Sequence, residues 1–177
     1  DIEPLPNGNV LMIAWVLKTD DEAIAAGRDP AGISDGEVWS ECIIEVQPTG
    51  STTGLIVWEW HVWDHLIQDH DATKANYGVV ADHPELLDVN CIANGNPDWN
   101  HFNSVAYNEE LDQIVISAHN QNEIYVIDHS TTTAEAATRT RARAGARAAL
   151  EGGMAEAVID RFKMVDIDHR QIPMTLF

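Results

Sequence analysis

The chain has 177 residues, enough for one ordinary domain with a sizeable core, and its 45% apolar content is not that of a disordered polymer. A formal net charge of −19 argues against nucleic acid or an anionic membrane surface as a partner. No run approaches the roughly 18 consecutive apolar residues of a membrane-spanning helix. Asp1 is not a natural start, so a longer N-terminus is expected.

The acidic part is punctuated like an all-β protein. The turn signal Pro6-Asn7-Gly8-Asn9 feeds an apolar strand predicted over Val10–Leu17. An acidic insertion from Thr19 to Gly36 has room for one short helical turn. Strands follow at Glu41–Val46 and Leu55–Trp60, separated by a Pro/Gly/Ser/Thr turn and rich in the Val, Ile and Trp that suit a packed, pleated surface. Cys42 lies in the first of these. With Cys91 it fits one disulfide or two thiols equally well.

The link from His61 to Pro97 is longer than the roughly 12–15 residues beyond which loops are usually functional or disordered. Its Trp63, Leu66, Ile67, Tyr77, Leu86 and Leu87 favour an ordered excursion. Strands resume at Asn103–Tyr107, Ile114–Ser117 and Ile124–Ile127. The order of short strand, polar turn, apolar strand, gap and second apolar strand thus occurs twice. Only the first copy closes with a fourth strand.

Repeated four-stranded antiparallel units suggest propeller blades, of which closure needs roughly 4–8. The expected fold is mainly β: a two-blade fragment of a β-propeller with an α-helical C-terminal tail. The first blade is placed at about 1–60, the inter-blade loop at 61–97 and the second blade at about 98–133. Unpaired strand edges then predict association between copies.

Composition breaks at residue 139. Residues 1–138 hold 24 acidic residues against Lys18, Arg28 and Lys74, whereas 139–177 hold five acidic and seven basic ones. The Arg/Ala-rich tail is read either as a helix, running from Ala134 to about Arg161 and covering the open edge beyond Ile127, or as a non-native end.

Three groupings carry candidate chemistry. His61, His65 and His70 lie among aspartates, and a helical spacing would bring His61 and His65 to one face as a zinc pair. The competing reading is a strand end followed by a solvated acidic loop, and no metal site is assigned. In Asp98-Trp99-Asn100-His101-Phe102-Asn103, His101 and Asn103 alternate with apolar residues and are expected on one side of a strand start. There they either line a polar pocket or cap a turn. His119, directly after a strand and followed by Asn120 and Gln121, is either a base, nucleophile or anion-binding cation, or part of a solvated turn.

The stretch "DWNHFNSVAYNEELDQIVISAHNQNEIYVID" resembles the aryl-sulfate sulfotransferase family, whose pattern there is approximately D-W-x-H-x-N-S-V-x-Y followed by D-x-I-I-x-S-x-R-x-Q. "DIEPLPNGNVL" is similar to that family's L-P-N-G-N segment, and "WDHLIQDHD" with "HPELLDVN" to its inter-blade loop. The resemblance covers most of residues 1–138.

It implies a six-bladed propeller, periplasmic or secreted, that moves a sulfuryl group from a phenolic sulfate ester to a phenolic acceptor through a transiently sulfated histidine. No cofactor, nucleic acid or membrane insertion is implied. His101 and Asn103 match the family's sulfate-binding pair; His119 and Gln121 fall on its R-x-Q, with histidine replacing arginine. The sulfated histidine belongs to a later blade. No catalytic residue is therefore assigned here, and the fragment alone is expected to be inactive. The alternative is a non-catalytic propeller module that binds an anionic or carbohydrate ligand.

Overall fold

The structure, a computed structural model, describes residues 1–33, 36–92 and 95–138. It opens with a four-stranded antiparallel meander: β1 (Ile2–Pro4), β2 (Val10–Thr19), β3 (Glu37–Pro48) and β4 (Gly54–His61), in that order across the sheet. Gly8, at φ +86°, supplies the left-handed turn between β1 and β2, and the Asn7 side chain accepts the Asn9 N–H at 2.9 Å.

The insertion after β2 holds a short helix, α1 (Asp20–Ala25). Thr19 and Glu22 cap it reciprocally, satisfying donors that the first turn leaves open. The strands run further than apolar content alone predicts. β2 pairs along its whole length with Glu37–Val46 of β3, because a ladder continues wherever backbone partners continue.

The described part of the link takes regular structure. Val62–His65 forms a 3-10 turn, β5 (Leu66–Ile67) pairs in parallel with β6 (Leu87–Asp88), and Ile67, Gln68, Leu87 and Val89 are buried. A second antiparallel meander follows: β7 (Phe102–Asn108), β8 (Gln113–Ala118) and β9 (Glu123–Asp128). Among the described residues this sheet has three strands. Cys42 and Cys91 are not joined in a disulfide, which resolves the open choice in favour of two thiols.

The two meanders share one core. Leu11, Ile43, Trp58 and Trp60 from the first pack in a single cluster with Val105, Ile114, Ile116, Tyr125 and Ile127 from the second. At about 25 cal/mol per Å² of apolar area removed from water, this shared burial is the main force joining the sheets. Phe102 meets Tyr125 edge to face, with ring centroids 5.5 Å apart.

Polar contacts fix the alignment. β7 is an edge strand, yet its Val105 and Tyr107 N–H groups donate to the Asp1 and Glu3 carboxylates of the β1 segment, at 3.1 and 3.4 Å. After β9 the chain returns to the first sheet. Trp58 Nε1–H donates to the Thr131 carbonyl at 2.9 Å, and the Glu59 N–H donates to Thr133 Oγ1 at 3.2 Å. A second capped helix, α2 (Thr133–Ala136), starts there and packs on β4. The sequence expectation set this helix over the β9 edge; its first turn instead sits on the first sheet, because these two bonds draw the segment to β4. The Arg/Ala-rich remainder lies outside the described residues.

His129 clasps the sheets together. Its Nε2 lies 3.0 Å from Glu45 on β3 and its Nδ1 lies 2.9 Å from Asp112 in the β7–β8 turn. A carboxylate thus faces each ring nitrogen. The ring also meets Trp58 and Tyr107 edge-on, at 4.8 and 5.5 Å. Burial raises the Glu45 pKa, but hydrogen bonds from Asn9, Asn7 and His129 outweigh it, and the net shift is downward from 4.5.

A carboxylate with a lowered folded-state pKa contributes stability above the unfolded value, and that stability is lost as pH falls through the folded value. Chemical denaturation of His129→Ala should show a loss of about 3 kcal/mol at neutral pH, the cost of breaking a mostly buried pair. The wild-type chain should lose more stability than this variant as pH falls below 4.5.

Candidate functional site

The segment leading into β7 is pinned from several sides before any functional side chain is placed. Asp98 forms a β-bridge to Trp39, and the Trp39 N–H donates to the Pro97 carbonyl at 2.7 Å. Trp99 is buried, donates its indole N–H to the Cys91 carbonyl at 2.8 Å, and stands beside the buried Arg28 guanidinium and edge-on to Trp63. The tryptophan of the D-W-x-H motif is therefore an anchor. The Asn100 side chain is fully buried, and neither of its polar atoms has a partner.

The end of β8 closes over this segment. His119 N–H donates to the His101 carbonyl at 3.0 Å, Asn120 N–H to the Asn100 carbonyl at 3.2 Å, and Asn120 Nδ2 to the Asp98 carbonyl at 2.8 Å. These bonds bring the His101 and His119 rings together, centroids 5.3 Å apart at 63°. His101 is half exposed and holds the Asp98 carboxylate against its Nδ1 at 2.5 Å; His119 is exposed, with Nδ1 3.0 Å from Asn120 Oδ1.

Simple alternation does not describe this strand start. His101 adopts the left-handed φ of +52°, and the β7–β8 register shifts between Phe102 and Ser104. The extra residue of that bulge is Asn103, which is exposed. Gln121 goes elsewhere: it lines a cavity of about 120 Å³ with Val80, Leu87, Cys91 and Tyr125, and its buried Oε1 has no partner. A larger cavity, about 490 Å³, lies at the opposite end of β7 and β8, lined by Asn7, Tyr107, Asp112, His129 and Thr131. None of the sequence-predicted site residues lines it.

Behind His101 stands Glu41 of β3, fully buried, accepting the Phe102 N–H and the Trp15 indole N–H, each at 3.3 Å. Burial, seconded by the Asp98 charge, pushes its pKa up to about 7. Sequence reading missed both carboxylates. Asp98 was recoverable, three residues before His101 in the motif itself. Glu41 was not, because an acidic residue within a strand ordinarily marks a solvent face.

The three link histidines go separate ways. The 3-10 turn Val62–His65 has three residues per turn, so positions four apart do not share a face. His61 Nε2 lies 2.9 Å from Glu59, His65 is buried and stacked on Trp60, and His70 is 4.0 Å from Asp29. Burial lowers the His65 pKa, since it disfavours the charged ring. Among the described residues no group of three or more His, Cys, Asp or Glu side chains is arranged to hold a metal ion.

The family model for arylsulfotransferase (ASST) matches residues 1–135. The chain belongs to the arylsulfotransferase family. No curated protein and no solved structure matches it. Membership in this transferase family supports an aryl-sulfotransferase-like function at the family level, with small aryl molecules as substrates. The match takes in both meanders and the link, and so every residue of the His101–His119 cluster.

A carboxyl whose folded pKa is raised loses stabilising influence as pH climbs from its unfolded value to its folded one. Glu41→Gln should therefore gain stability relative to wild type between pH 4.5 and about 7, then hold level. The gain should reach the order of 3 kcal/mol, read from urea midpoints of the two proteins at pH 5 and pH 8.

Proposed function

We propose that the chain carries part of the anion-binding channel of an aryl-sulfate sulfotransferase-like propeller. The observation that carries this reading is the ring contact between His101 and His119 at the joined ends of β7 and β8. A sulfuryl group in transfer spreads negative charge over its oxygens, and preorganised N–H donors aimed at that charge lower the barrier. Protonated His101 supplies such a donor at Nε2, His119 one from the neighbouring strand end, and the exposed Asn103 amide adds a third. Gln121, whose side chain lines a different cavity, is not carried into the reading.

In this proposal the donor is a phenolic sulfate ester, the acceptor a phenol, and the histidine that carries the sulfuryl group lies in another blade. The working compartment is the periplasm or the extracellular space. The two meanders are the two blades, joined by the link at 61–97. The first sheet leaves Trp15 and Leu17 of β2 and Leu55, Ile56 and Val57 of β4 largely exposed, apolar surface that suits a neighbouring blade.

His101→Ala should weaken sulfate-ester binding by roughly 1.5–3 kcal/mol, the range for hydrogen bonds to charged groups, with little change in melting temperature. Calorimetric titration with p-nitrophenyl sulfate measures it, and equal affinity in the two proteins ends the assignment. The chain itself should not transfer sulfate from p-nitrophenyl sulfate to a phenol; turnover would relocate the nucleophile to residues present here. The exposed Leu55, Ile56 and Val57 of β4 should also drive association, seen by light scattering as species larger than the 19.6 kDa monomer.

A further inference from the structure

We propose that Asp98 and Glu41 are the positioning residues of His101, committing its Nδ1 to a carboxylate and leaving Nε2 for the incoming anion. The inference rests on the reading of His101 as a sulfate ligand and adds what orients it. A left-handed backbone at a non-glycine residue is unfavourable by roughly 1–2 kcal/mol and persists only where its surroundings over-determine it. At His101 they do. The His101 carbonyl accepts from His119, the preceding carbonyl accepts from Asn120, and the following N–H, that of Phe102, donates to Glu41. Glu41 reaches across from the other sheet, so the turn is held by a side chain that does not move with β7.

Asp98 then sets the ring. A carboxylate only accepts, so the neutral imidazole beside it must carry its proton on Nδ1, leaving the lone pair on Nε2. On protonation Nε2 becomes the N–H donor an anion needs. Asp98 is itself held: its N–H donates to Asn96 Oδ1 at 3.1 Å, and its carbonyl accepts from Asn120 Nδ2 at 2.8 Å. Asp98 Oδ1 and Glu41 Oε2 are both buried without partners. Burial favours the neutral form of Glu41, which limits negative charge close to the anion.

The groups facing His101 make opposite predictions for charge and for positioning. Removing the Asp98 charge should tighten anion binding if simple Coulomb repulsion governs, and weaken it if ring orientation governs. Ring ¹⁵N spectra of the 177-residue chain should show the neutral His101 as the Nδ1–H tautomer, the reverse of the usual preference. Asp98→Ala should switch it to Nε2–H and lower sulfate affinity about tenfold. Asp98→Asn, which keeps an acceptor oxygen without the charge, should restore the tautomer and most of the affinity. Glu41→Gln should stay within about twofold of wild type, and Glu41→Ala should lose His101 ring order.

An Nε2–H tautomer in the wild-type chain overturns the inference, as does sulfate binding in Asp98→Ala equal to or tighter than wild type. The wild-type and Asp98 spectra decide the matter even where Glu41→Ala does not fold. If no protein binds sulfate yet the tautomer follows Asp98, the positioning role stands and the sulfate reading fails.

Discussion

Carboxylates of the first meander, accepting hydrogen bonds from the second, hold the two sheets in one alignment. Asp1 and Glu3 take the edge donors of β7 at Val105 and Tyr107, Glu41 takes the Phe102 N–H, and Glu45 takes His129. Apolar burial brings the sheets together but is not directional. The carboxylates supply the direction, and they convert an edge strand that would otherwise recruit another chain into a satisfied one. A net charge of −19 is thus more than a solubilising surface, since part of it works between the sheets.

Two of these groups, four residues apart on the same strand, titrate in opposite directions. Glu45 is buried but receives Asn7, Asn9 and His129, so its ionised form is well solvated by the protein and its pKa falls. Glu41 receives hydrogen bonds only from neutral donors, those of Phe102 and Trp15 at 3.3 Å, and faces another carboxylate, so burial dominates and its pKa rises to about 7. The environment decides what the identical side chain does. One end of the interface is thereby a carboxylate held by three hydrogen-bond partners, and the other is a buried carboxyl of raised pKa behind a candidate anion site.

The apolar stretches and turn signals made most of the elements legible. Pro6-Asn7-Gly8-Asn9, the Val10 run and the three-strand second copy all appear where patterning places them. Boundaries were less legible, since β2 and β3 extend through Lys18, Thr19 and Glu37, residues whose pairing is backbone work that side-chain pattern does not report. The spacing of His61 and His65 offered a zinc pair only on a helical face, and the chain makes a 3-10 turn there.

The sequence by itself determined the β class, the two-copy layout, the arylsulfotransferase likeness through D-W-x-H-x-N, and the candidate residues at strand ends. These depend on local patterning and on a linear motif, which neighbours in sequence are enough to specify. Only the tertiary structure decided that His101 and His119 share a contact, that Asn103 stands out on a bulge, and that Gln121 belongs to another cavity. It also decided that Glu41, more than fifty residues earlier, secures the turn at His101, because a hydrogen bond between two sheets exists only once their shared core has set them face to face.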